Sequence, residues 1–161
     1  MIDRTIKWPL VSGSALPTWS SRSSKVLILG DAAHAMVPYM SQGAAMAVED
    51  GAALATVLNL IRERSSLPFA LAVFERERMR RTRGMQEASL INGILWHYKD
   101  GIEQEARDAA MSAETEGRNF LSSANQWSDP VTQWWAYGYD AEAEMKKAWH
   151  VAITELDRKS C

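Results

Sequence analysis

The chain has 161 residues, 47% of them hydrophobic, and its 18 Lys and Arg against 20 Asp and Glu leave a net charge of −2. That apolar fraction excludes a disordered chain, and the charge balance gives no footing for a nucleic-acid or anionic-membrane partner. The single cysteine, Cys161, allows no intrachain disulfide or cysteine metal site. No apolar run approaches the roughly 20 residues that span a bilayer, and the first residues lack a secretory h-region. The expectation is a cytoplasmic protein with no membrane segment.

In chain order, residues 1–24 are irregular, with Pro9, Gly13, Pro17 and six serines, and a short strand fits residues 4–11. Residues 25–30, Lys25-Val26-Leu27-Ile28-Leu29-Gly30, form an unalternated apolar run that suits a strand buried on both faces. From residue 44 to 64 the apolar residues Met46, Leu54, Val57, Leu58 and Ile61 recur at helical steps. Pro68 then opens a second helical stretch to about residue 98, and Lys99-Asp100-Gly101 marks a turn. A weaker amphipathic stretch runs to Gly117, residues 122–138 read as irregular and aromatic, and 139–157 reads as a closing helix capped by Asp140. The count is one or two strands and about four helices. A strand buried on both faces needs neighbours for its N–H and C=O groups, so the pattern reads as part of a larger α/β unit.

The segment that carries chemistry follows the buried run. Asp31 stands at the end of the expected strand, where α/β folds place ligand contacts, and its carboxylate can accept hydrogen bonds from sugar or polyol hydroxyls. Pro38 leads to Gln42-Gly43, and the next helix starts in small residues, Ala44, Ala45 and Ala47. Its first N–H groups favour negative charge, and Gly43 lets a ligand approach the backbone. The same residues also suit a packed strand–loop–helix with Asp31 as a cap.

These residues match a family pattern. Gly30-Asp31-Ala32-Ala33-His34, Pro38, Gln42-Gly43 and Glu49-Asp50 resemble the second flavin motif of the salicylate-hydroxylase-like FAD monooxygenases. Leu16-Pro17-Thr18-Trp19 resembles the family's L-P-x-W, and Phe74-Glu75-Arg76-Glu77-Arg78 its aromatic-E-x-x-R helix. Trp127-Ser128-Asp129-Pro130 and Tyr137-Gly138-Tyr139-Asp140 are similar to the C-terminal signature of the fungal branch, while Ala35 and Gly51 replace the usual proline and alanine. The resemblance implies the C-terminal part of a p-hydroxybenzoate hydroxylase-like FAD-binding fold: an α/β fragment, mostly α-helical. Residues 1–24 would end the substrate-domain sheet, 25–64 form the strand–loop–helix of the flavin motif, and 65–161 the C-terminal helical region.

By the same resemblance Asp31 would bind the ribityl chain of FAD, Pro38 would face the isoalloxazine ring, and Gly43 and Ala44 would present N–H groups to its pyrimidine end. Complete relatives reduce FAD with NAD(P)H and hydroxylate an aromatic small molecule. The nine glycines here never fall closer than eight residues apart, so the G-x-G-x-x-G that holds the FAD pyrophosphate is missing from the chain. The chain alone is therefore expected to hold FAD weakly or not at all.

Two other readings stay open: a non-catalytic assembly module or split-enzyme half, taking a complementary N-terminal portion or a second copy as partner, and a cofactor-independent enzyme using the old pocket. His34 is the weak catalytic candidate for the latter. With no second histidine near it, no metal site is expected. The run Arg76, Arg78, Arg80, Arg81, Arg83 reads as a solvated or ion-paired helix face, and Trp127, Trp134 and Trp135 as residues packed against the helices.

Overall fold

The computed structural model describes residues 3–160, so Cys161 lies outside the described residues. Its helices are α1 (Asp31–His34), α2 (Gly43–Leu60), α3 (Leu67–Trp96), α4 (Ile102–Ala110), α5 (Ser112–Thr115), α6 (Pro130–Tyr137) and α7 (Ala141–Ser160), with a 3-10 turn at Pro38–Met40. The described residues are mostly helical, and the three long helices, α2, α3 and α7, fall where the sequence places them.

The expected strands are the main difference. Among the described residues the run 25–29 makes one antiparallel bridge, between Ser20 and Leu27. Ser21 N–H donates to the Val26 carbonyl and Ile28 N–H to the Trp19 carbonyl at 2.9 and 3.0 Å. Among the described residues no other segment extends this ladder, so the run does not form a strand, and Val26 is exposed. Residues 4–11 are likewise exposed and unpaired in any sheet, so the second expected strand is not formed.

The helical packing follows the apolar periodicity. Pro68 sits in the first turn of α3, where its missing N–H has no intrahelical partner to lose. Helices α2, α3 and α7 pack on one another through Ala53, Val57, Ala70, Val73, Phe74, Met145 and Ala152, with Trp19 closing one end. A second cluster of Met40, Met46, Met85 and Ala136 lies farther along α2 and α3. The Asp140 carboxylate accepts the N–H groups of Glu142 and Ala143 at 3.0 and 2.9 Å, the cap the sequence suggests for α7. The aromatic stretch read as irregular contains α6: the Asp129 side chain accepts the Thr132 N–H at 2.8 Å and Pro130 fills the first turn. The Asp129-Pro130 pair is the start signal that the aromatic composition of this stretch obscures.

Candidate functional site

Gly30 holds φ +59°, a conformation side chains disfavour, and an added Cβ would stand 3.3 Å from the Ala47 Cβ. Glycine therefore permits the sharp entry into α1 and lets the segment lie close to α2. Asp31 follows on the exposed face; its carboxylate caps no helix and makes no hydrogen bond to any described residue. Across from it the Pro38–Met40 turn ends at Ser41, whose φ of +51° is left-handed, with its N–H donated to the Pro38 carbonyl at 2.9 Å. Helix α2 then starts with no side chain capping its first turn.

These elements line one open groove of about 490 Å³ formed by Asp31, Met36, Val37, Pro38, Ser41, Gly43, Ala44 and Ala47. All four residues the sequence singles out, Asp31, Pro38, Gly43 and Ala44, meet there. Ala47, one of the small residues at the start of the helix, lines the groove too, whereas Met36, Val37 and Ser41 carry no sequence expectation; the apolar residues flanking the motif were the available signal. The groove combines a carboxylate free to accept hydroxyl hydrogen bonds, a flat apolar wall and the uncapped start of an 18-residue helix. That helix end favours negative charge in a ligand. Its volume lies within the roughly 300–1,000 Å³ typical of small-molecule pockets.

His34 does not share the groove. It is buried and lines a separate cavity of about 380 Å³ with Leu16, Trp19 and Gln86. Its Nε2 lies 2.7 Å from Asp50 Oδ2, its ring packs against Trp19, and its Nδ1 finds no partner among the described residues.

Asp50 is the residue the motif contained without a role. Its carboxylate accepts the Gly30 N–H at 3.1 Å, so it holds both ends of α1 through Gly30 and His34. From α3, Arg78 Nε donates to Asp50 at 2.8 Å, and the same guanidinium reaches Glu49 at 2.8 Å and the Met46 carbonyl at 3.2 Å. Burial pushes the Asp50 carboxyl up, but hydrogen bonds from His34, Arg78 and Gly30 and the Arg78 charge outweigh it and hold it below the ordinary carboxylate value. Burial likewise opposes the Arg78 charge, and Asp50 and Glu49 more than restore it.

Arg81 extends the network to Glu49 at 2.9 Å and to the carbonyls of Trp135 and Ala136, both at 2.8 Å, beneath the Tyr139 ring. The arginine run is therefore split. Arg76, Arg80 and Arg83 are exposed and ion-paired as the sequence suggests, whereas Arg78 and Arg81 are buried, because α3 turns a polar stripe toward α2. Trp127, Trp134 and Trp135 remain 38%, 77% and 38% exposed, so the expected burial against the helices is incomplete. Among the described residues no group of three or more His, Cys, Asp or Glu comes together as a metal would require.

Residues 14–89 match the model of the FAD binding domain family. The chain is 40% identical over 150 residues to the FAD-dependent monooxygenase OpS4 of Beauveria bassiana (strain ARSEF 2860), covering 93% of this chain and 34% of that protein. The salicylate hydroxylase structure, solved as a substrate complex, matches at a TM-score of 0.59 and 29% identity over 83% of this chain and 29% of that one. The chain belongs to the salicylate-hydroxylase-like FAD monooxygenases. The crystal structure of FqzB matches this family member at a TM-score of 0.67 and 27% identity, over 92% of this chain and 31% of the other. A further relative, 6-hydroxynicotinate 3-monooxygenase of Pseudomonas fluorescens, is 41% identical over 103 residues, which is 62% of this chain and 26% of that protein. The chain spans about a third of the length of the curated relatives it matches. FAD is the cofactor of this family, with NAD(P)H its usual reductant. Among the described residues no helix is long and apolar enough to cross a membrane.

Proposed function

We propose that this chain contributes the ring-and-ribityl face of the flavin site of a cytoplasmic FAD-dependent hydroxylase acting on aromatic small molecules. The observation that carries this reading is the convergence of Asp31, Pro38, Gly43 and Ala44 on one groove at the uncapped start of α2. In this reading the division into residues 1–24, 25–64 and 65–161 follows the ends of a substrate domain, the flavin motif and a helical cover.

FAD, reduced by NAD(P)H, supplies the electrons with which one oxygen atom of O2 enters the aromatic ring. The chain's own residues bind and orient. Asp31 accepts hydrogen bonds from ribityl hydroxyls, and Gly43 and Ala44 offer N–H groups to the polar edge of the ring. The α2 dipole favours negative charge at that edge, a preorganised electrostatic contribution. Pro38 and Val37 exclude water from the ring face. His34, engaged by Asp50 away from the groove, holds α1 in place rather than moving a proton, which weighs against the cofactor-independent reading.

The test uses riboflavin, which carries the ring and ribityl chain without the pyrophosphate. Trace riboflavin titrated with the purified chain should show a saturable rise in fluorescence anisotropy with a Kd of about 0.1–1 mM, roughly −4 to −5.5 kcal/mol. Asp31→Ala should weaken it about tenfold or more, the loss of a charge-assisted hydrogen bond. Flat anisotropy up to about 1 mM protein, or equal binding by Asp31→Ala, overturns the proposal.

A further inference from the structure

The Pro38 turn is held from behind by two residues far from it in sequence. The Tyr39 carbonyl accepts Asn92 Nδ2–H at 2.8 Å and Trp127 Nε1–H at 2.7 Å, which occupies both of its lone pairs. The Tyr39 ring lies edge-on to Trp96 and His97. It presses so closely on Gly93 that an added Cβ there would stand 2.6 Å from the ring. Tyr39 directly follows Pro38 and stands two residues before left-handed Ser41, both of which line the groove. A turn with one residue in that conformation persists only where its surroundings fix it.

Trp127 is itself anchored. Its N–H donates to Asn125 Oδ1 at 3.2 Å and its carbonyl accepts Gln133 Nε2–H at 2.7 Å. Asn125 and Ser123 both donate to Glu114 of α5, at 3.1 and 2.9 Å. The segment between α5 and α6 thus reaches the groove through one indole N–H.

We infer that Trp127, with Asn92, is a positioning residue for the flavin groove: the pair fixes the Tyr39 peptide and through it the placement of Pro38 and Ser41 against the bound ring. The inference deepens the proposed function and rests on it for the ligand. Neither residue lines the groove, so each acts through the turn. The Trp127 loop couples the aromatic C-terminal region to the site.

The experiment pairs Trp127→Phe, which keeps an aromatic ring on Trp96 and removes the donor, with Trp134→Phe, a control at an exposed tryptophan outside the groove. Hydrogen exchange of the Ser41 amide should speed up about 3- to 10-fold in Trp127→Phe, the worth of one neutral hydrogen bond. Amides of Ala53 and Ala148, inside α2 and α7, should be unchanged. The riboflavin Kd should rise by a similar factor while the control matches wild type, a change that loss of overall stability would not produce in folded protein. Ser41 exchange equal in both variants overturns the inference. So does an unchanged riboflavin Kd in Trp127→Phe when the wild type binds. A wild-type chain that binds no riboflavin removes the flavin reading instead, and Ser41 exchange still decides whether the Tyr39 carbonyl is held from Trp127.

Discussion

Replacing Arg78 by methionine removes the cation on which the polar core is built. Arg78 is fully buried, and three of its hydrogen bonds go to Asp50, Glu49 and the Met46 carbonyl. Deleting one partner of a buried ion pair costs about 3–5 kcal/mol, because the remaining charge loses its compensation. Two features place Arg78→Met at the lower end. Glu49 keeps both contacts from Arg81, and Asp50 keeps the Gly30 N–H and His34. We therefore expect a loss of about 3 kcal/mol at pH 7, a large share of the roughly 5–15 kcal/mol that holds a domain together.

The pH dependence sharpens the test. In the wild type Asp50 titrates below its ordinary value, so its contribution is present above an unfolded pKa of about 3.9 and is lost as pH falls through the lower folded value. Without Arg78, burial raises the Asp50 pKa, and protonation then relieves the variant as pH falls. The gap between Arg78→Met and wild type should narrow from pH 7 to pH 4. Urea denaturation followed by far-UV circular dichroism at the two pH values measures it. A loss under about 1 kcal/mol at pH 7, or an equal loss at both, would refute the assignment of Arg78 as the countercharge of Asp50.

Other substitutions read other parts of the structure. Gly93→Ala should cost about 1–3 kcal/mol in urea denaturation, since its Cβ has no room beside Tyr39, and should perturb the Tyr39 ring resonances. Asp129→Ala should cost about 1 kcal/mol and lower helicity, through loss of the α6 cap. Burial and the neighbouring Glu77 push the Tyr139 hydroxyl up to about 12 from 10.0. The stability this confers is complete below pH 10 and lost as pH rises through about 12. Tyr139→Phe should therefore show a shallower alkaline decline than wild type when urea midpoints are compared at pH 8 and 11.5.

The sequence by itself determined the three long helices, the Asp140 cap and the four groove residues. Each is a local matter: apolar residues at helical steps, a proline that fits only a first turn, and a motif whose spacing brings Asp31 and Gly43 onto the same side of a short loop. Tertiary structure decided the rest. The run 25–29 has the composition of a strand, but a strand is made by its neighbours, and the described residues supply one bridge. The arginine run reads as a solvated or ion-paired face, and Arg78 and Arg81 are ion-paired but buried. Only the packing of α2 against α3 shows that Asp50 and Glu49 arrive opposite them and make burial tolerable. The hold of Trp127 on Tyr39 spans 88 residues, and no local pattern can register a hydrogen bond that exists only after the chain has closed on itself.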